Sequence, residues 1–270
     1  MKLINRPWGK IFLLIVSIIV VSLVVVIWFN VSRVLSPIIP PTNSTNINNK
    51  KVTKKVTTNQ KQTNNAKPAV QSAVNTKNST TDPSSIWVVV NKQHPLSPIG
   101  YAPSGIVTTN GATISDKAGV DFDAMFADAA LQGVNLTVVS SYRSYDTQYG
   151  LYNNYVAIYG QASTDTFSAR PGYSEHQTGL AIDFGSSTGS SCNLDTCYGT
   201  TVEGQWLAGH AYQYGFLLRY TTEKQPITGY KSESWHYRYI GRELAADMKN
   251  RPITTLEEYF NISGGETYLQ

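Results

Sequence analysis

The sequence predicts an α+β domain built on an antiparallel sheet with flanking helices, and three observations carry that expectation. From Ile86 onward aromatic residues appear and glycines punctuate short apolar runs. Strand-like and helix-like stretches mix without a regular βαβ rhythm, which argues against a parallel sheet. The stretch 86–270 holds 185 of the 270 residues, enough for one well-buried core, and shows no internal repeat.

The elements follow in chain order. Ile86–Val90 reads as a strand. Over Val120–Leu131, Phe122, Met125, Phe126, Ala129 and Ala130 recur near helical spacing and predict an amphipathic helix. Leu136–Ser140 is a strand ending in a polar turn, and Tyr145–Tyr159 a helix carrying Tyr149, Leu151, Tyr152 and Tyr155. Leu180–Phe184 and Trp235–Ile240 read as short strands, and Glu203–Tyr214 as a helix stopped by Gly215.

The front of the chain is different in kind. Residues Ile11 to Phe29 are apolar except for two Ser, long enough as a helix to span a hydrocarbon core of about 30 Å. Lys2, Arg6 and Lys10 precede the run and predict a cytoplasmic segment 1–10, so 11–29 is an anchor and the remainder is exported. A small-x-small cleavage site is missing after Trp28-Phe29-Asn30-Val31, which argues against a removed signal peptide. Residues 30–85 are rich in Ser, Thr, Asn and Lys without apolar periodicity and predict a disordered linker. Eleven Lys or Arg and no acidic residue precede Asp82, whereas eleven basic and seventeen acidic residues follow it. Lys50, Lys51, Lys54, Lys55, Lys61, Lys67 and Lys77 suit anionic wall polymers or lipid head groups, although a solvated tether explains them as well. No aromatics interleave with these lysines, so nucleic acid is not an expected partner.

Chemistry concentrates in two segments. The first is Ser174-Glu175-His176-Gln177-Thr178-Gly179-Leu180-Ala181-Ile182-Asp183, the second Glu233-Ser234-Trp235-His236-Tyr237-Arg238. Only four His exist, and each segment holds one; His94 and His210 receive no role. Two imidazoles and a carboxylate leaving one open position suit a catalytic zinc. Gly179 offers the turn that would bring His176 and Asp183 together, and Asp183 lies between Ile182 and Phe184, where a carboxylate needs a partner. His236 and Arg238 share one strand face, and Glu233, three residues before His236, needs a bend to reach the same site. Spacing alone leaves a plain His–Asp ion pair open as an explanation.

These segments resemble those of the VanY-type D-alanyl-D-alanine carboxypeptidases, zinc peptidases that share a fold with Hedgehog amino-terminal domains. The similarity extends to Val89-Val90-Asn91-Lys92-Gln93-His94-Pro95-Leu96 with Tyr101-Ala102-Pro103, and to Ser140-Ser141-Tyr142-Arg143-Ser144-Tyr145 with Gln148 and Leu151-Tyr152, covering most of 86–242. The resemblance implies that His176, Asp183 and His236 ligate zinc and that Glu233 is the general acid/base. It implies that Arg143 contacts the substrate's terminal carboxylate or the oxyanion, with Gln148 and Ser174 as secondary substrate contacts. It implies hydrolysis of the terminal D-alanine from peptidoglycan stem peptides. L,D-carboxypeptidase action on tetrapeptide stems, endopeptidase cleavage of cross-links and a non-catalytic wall-binding module are the rivals, and the presence of Glu233 speaks against the last. Many relatives carry Pro where this chain has Ser234, which leaves the bend before His236 without a stiffening ring.

Cys192 and Cys197 flank a Gly/Ser-rich insertion just after Asp183. Without further ligands they make a weak metal site, and in an exported domain they predict a disulfide closing a short loop at the rim of the site.

Overall fold

The computed structural model describes residues 78–188 and 190–269. The expected segments 1–10 and 11–29 and most of the expected linker lie outside the described residues. The linker boundary needs one correction, because the residues just before Ile86 are folded onto the domain. Residues 79–85 form turns, Val89 N–H donates to Thr80 O at 2.9 Å, and the Ser85 side chain is buried. Among the described residues no helix is long and apolar enough to cross a membrane.

A hairpin opens the domain: β1 (Ile106–Thr109) pairs antiparallel with β2 (Ala112–Ser115). Its turn, Asn110-Gly111, has both residues at positive φ, the geometry that matches a two-residue hairpin to strand twist. The helix α1 (Asp116–Leu131) follows at once, with the Ser115 hydroxyl accepting from Lys117 N–H. It begins four residues before the expected Val120 because this serine caps it. Ala118, Phe122, Met125 and Ala129 enter the main core, where Phe122 meets Phe184 and Phe216 at ring-centroid distances of 6.2 and 6.1 Å.

The main sheet has four strands in the order β3 (Leu136–Ser140), β4 (Ala181–Ser186), β6 (Glu233–Tyr239), β5 (Phe216–Tyr220), each pair antiparallel. Between β3 and β4 lies α2 (Tyr145–Tyr159), whose N-cap Ser144 accepts from Thr147 N–H. The helix α3 (Val202–His210) passes into a 3₁₀ turn, Ala211–Tyr214, that ends at Gly215 with φ 82°. After β6 come α4 (Arg242–Lys249) and α5 (Leu256–Phe260). A second core gathers Trp87, Val89, Ile240, Leu244, Ala245, Met248 and Leu256.

The expected strand at Ile86–Val90 is not a strand. Val88 and Val90 enter the main core while Trp87 and Val89 enter the second, so the apolar run is buried from both sides. Among the described residues no neighbouring strand supplies donors there. Instead the Arg238 guanidinium donates to the carbonyls of Ile86 and Val88, at 3.2 and 2.8 Å.

Candidate active site

Sheet register places the first two groups. Asp183 on β4 pairs directly with His236 on β6, so the two side chains are cross-strand neighbours. His176 arrives from a 3₁₀ turn, Glu175–Thr178, that closes on Gly179 at φ 70°. A Cβ at Gly179 would stand 3.0 Å from the Ser115 amide nitrogen, so this position has neither the conformation nor the space for another residue. The turn brings His176 Nε2 to 3.1 Å from Asp183 Oδ2.

Glu233 reaches the site through a bulge. Leu218 pairs with Tyr237 and Tyr220 with Glu233, so β6 spends four residues where β5 spends two. The extra residues swing Glu233 round to put Oε2 at 3.6 Å from His236 Nδ1. The Ser234 hydroxyl holds this bend, accepting from Gly199 N–H at 3.1 Å and donating to Thr196 O at 3.2 Å. Hydrogen bonds thus do what a proline ring would do.

The donor set fits a cation. One ligand atom each from His176, Asp183 and His236 lie within 4.8 Å of one another, and all three residues are buried. Asp183 Oδ1 is 3.1 Å from His236 Nδ1 yet has no hydrogen bond, an orphaned acceptor on a buried carboxylate. Such an atom is costly unless a cation shares it. The ring protons are placed by outer partners. His176 Nδ1 lies 2.8 Å from the Ser141 carbonyl oxygen, an acceptor only, which leaves Nε2 bare toward the site. His236 Nε2 lies 3.2 Å from Glu175 Oε2 and turns Nδ1 inward.

Electrostatics separates the groups. Burial works to raise the Asp183 carboxyl, but His176 and His236 hold it well below the usual carboxylate range. Burial opposes protonation of His236, but Asp183, Glu175 and Glu233 outweigh it and lift the ring to about 9. Glu233 moves the other way from Asp183: burial chiefly, with the Asp183 charge adding, pushes it up to about 8 against the pull of His236 and Arg143.

The pocket beside these residues has a volume of about 400 Å³, the scale of a small-ligand site. Tyr155, Phe167, Tyr173, Tyr230 and Trp235 supply its walls, and Arg143, Ser174 and Glu233 its polar contacts. Gln148 is not among the lining residues. It is buried behind Arg143, its Oε1 accepting from Arg143 Nε at 2.6 Å and its Nε2 donating to Ala169 O at 2.6 Å. The amide therefore aims the guanidinium, and its own polar atoms are already engaged. Cys192 and Cys197 are joined by a disulfide, and Leu194, Asp195 and Thr196 inside that loop line the pocket. His94 bonds Ser263 and His210 the Trp206 carbonyl, both away from the site. Sequence reasoning passed over Glu175, Arg219 and Tyr220. Glu175 lay inside the first motif, but no spacing signal marks a carboxylate whose partners lie 44 and 63 residues further along the chain.

A family model for VanY, D-alanyl-D-alanine carboxypeptidase, matches residues 111–242, which include all of these site residues. The Bacillus subtilis protein YodJ is 39% identical over 189 residues, 66% of this chain and 68% of that one. This chain belongs to the VanY family. A D-alanyl-D-alanine carboxypeptidase of Enterococcus faecalis is 34% identical, over 64% of this chain and 65% of that one. Among solved structures, the LdcB LD-carboxypeptidase matches at 38% identity and a TM-score of 0.61, covering 67% of this chain and 88% of that one. A mutant of the vancomycin-resistance D,D-pentapeptidase VanY, in complex with Zn(II), matches at 31% identity and 0.55, covering 64% and 98%. The chain is thus a zinc metallopeptidase of the VanY family, its His/Asp/His cluster fits that metal, and the antiparallel sheet with flanking helices is the fold of that family.

Proposed function

We propose that this VanY-family protein is a D,D-carboxypeptidase that removes the terminal D-alanine from peptidoglycan stem peptides outside the cytoplasm. The observation that carries the reading is the convergence of His176, Asp183 and His236, with Glu233 beside them, at the floor of an open pocket. His176 Nε2, an Asp183 oxygen and His236 Nδ1 would hold the metal. Zinc, when bound, polarises the scissile carbonyl and makes water a better nucleophile near neutral pH. Glu233 takes the proton from the attacking water and delivers it to the departing D-alanine nitrogen, a task suited to a carboxyl raised toward neutrality. Arg143 keeps its charge although burial lowers it, and its fork holds the peptide's terminal carboxylate or the developing oxyanion. Ser174, buried at the pocket wall, lies where it would contact the peptide.

A second reading, L,D-carboxypeptidase action on tetrapeptide stems, is favoured by one observation: the LdcB structure matches at higher identity and TM-score than the VanY structure. The test uses the full-length protein with pentapeptide stems ending in D-Ala-D-Ala and, separately, tetrapeptide stems ending in one D-Ala, with and without a zinc chelator. Chelator-sensitive release of D-alanine from the pentapeptide is expected. Release from the tetrapeptide alone would replace the D,D reading with the L,D one.

The apolar run 11–29 with Lys2, Arg6 and Lys10 before it supports a single-pass anchor with the catalytic domain facing the wall. The Cys192–Cys197 disulfide supports an oxidising compartment. The lysines between Lys50 and Lys77 suit anionic wall polymers along the tether.

A further inference from the structure

Glu175 is 2% exposed and directly precedes His176, yet its own atoms are not among the converging ligand atoms. Its two oxygens have separate duties. Oε1 accepts from Arg219 Nε at 2.8 Å and from Arg238 Nη1 at 2.9 Å. Oε2 lies 3.2 Å from His236 Nε2, the ring nitrogen opposite the one that faces Asp183. Each arginine is held from its far side. Glu257 grips Arg219 with both oxygens, at 2.9 and 2.7 Å, and the carbonyls of Ile86 and Val88 take Arg238 Nη2. Arg219, Arg238 and Glu257 are each no more than 2% exposed.

We propose that Glu175 is a positioning residue for the metal-facing side of His236: its carboxylate accepts the Nε2–H, fixes the tautomer with a bare Nδ1 turned inward, and is itself locked by Arg219 and Arg238. A neutral imidazole has one N–H and one lone pair, so an acceptor at one nitrogen decides which nitrogen can ligate. The Ser141 carbonyl does the same for His176 from the other ring position. The two rings stand at 90° with centroids 5.0 Å apart, and offer Nε2 from one and Nδ1 from the other. A scaffold that only paired charges would have no need to spend Oε2 on the ring. Locking Oε1 between two guanidinium groups removes the carboxylate's freedom to rotate into the site as a competing ligand. Glu257 lies beyond the segment matched by the family model, so part of this support comes from this chain's C-terminal region.

The inference rests on the zinc reading of the site, not on which stem peptide is cut. Zinc affinity is measured on full-length protein by competition with a chromophoric chelator, with folding checked by circular dichroism. Wild type must first bind one zinc; if it does not, the zinc reading fails on its own. Glu175→Gln is expected to weaken zinc binding about 10- to 100-fold. Glu257→Gln, which loosens Arg219 without touching His236, is expected to stay near wild type. An unchanged affinity in folded Glu175→Gln overturns the proposal, and so does an equal loss in both variants. If Glu175→Gln does not fold, ¹⁵N-histidine spectra of metal-free wild type, taken at a pH high enough that the His236 ring is neutral, decide. The Nε2–H form at His236 with the Nδ1–H form at His176 supports the proposal, and Nδ1–H at His236 overturns it.

Discussion

Two clusters of buried charge lie on opposite sides of His236, and they are finished differently. Behind the ring, Glu175, Arg219, Arg238 and Glu257 form a neutral set with hydrogen bonds at every charged group. In front of it, Asp183 and the inward nitrogens of two histidines converge with Asp183 Oδ1 left unbonded. Burial is the same on both sides, so burial does not distinguish them. The satisfied cluster is a frame, and the unsatisfied one is a donor set that fits a cation.

That contrast can be broken by substitution, and the largest effect belongs in front. Glu233→Gln is expected to reduce D-alanine release by about 10²- to 10⁴-fold while one zinc remains bound. Loss of zinc together with activity would make Glu233 a ligand and redraw the front cluster. Arg143→Ala is expected to reduce kcat/KM by about 10²- to 10³-fold, with Lys restoring little because it lacks the fork. Steady-state kinetics on the preferred stem peptide checks this.

Behind the ring the same kind of change acts on stability. Glu257→Gln leaves the Arg219 fork partly unpaired in a sealed core and is expected to destabilise by about 3 kcal/mol. Denaturant unfolding of the zinc-loaded protein measures it, and a loss near zero would show that the frame is redundant.

Acid–base behaviour sharpens the difference further. In metal-free protein Glu233 at about 8 and His236 at about 9 both bind protons more tightly folded than unfolded. Their contributions are therefore present at low pH and are lost as pH rises, from about 4.5 to 8 for Glu233 and from about 6.5 to 9 for His236. Asp183 and Glu175, both lowered, act oppositely and lose their contributions only as pH falls below the usual carboxylate range. The Tm of metal-free protein is thus expected to fall between pH 6.5 and 9. Zinc, which competes with the His236 proton, should flatten or reverse that slope. The smallest effect is at Ser234→Ala, about 1 kcal/mol, with a modest rise in KM as the bulge loosens. An unchanged KM would mean that the disulfide-closed loop does not need Ser234 to stay at the pocket.

Legibility in the sequence was uneven for physical reasons. Leu136–Ser140 and Tyr145–Tyr159 keep the bounds expected of them, because each is a local pattern closed by a local signal. Ile86–Val90 misled because alternation between two cores looks the same as alternation between a core and solvent. The first strand of the hairpin at Asn110-Gly111 carries no apolar alternation, since most of β1 is exposed, and the turn residues are its clearest signal. Gln148 was read as a substrate contact, and its burial behind Arg143 could not be foreseen from a spacing of five residues.

By itself the sequence determined the chemistry available: two histidines, Asp183, Glu233 and Arg143 in motifs that few other functions would assemble. Composition also separated the aromatic-rich stretch from Ile86 onward from the lysine-rich stretch before it. Tertiary structure alone decided how those groups meet. The register that sets Asp183 beside His236, the bulge that turns Glu233 inward and the arginines that hold Glu175 behind the ring depend on residues tens of positions apart. Residue type fixes what a side chain can donate, accept or ligate, whereas its partners are fixed by strand pairing and packing, which no local stretch encodes.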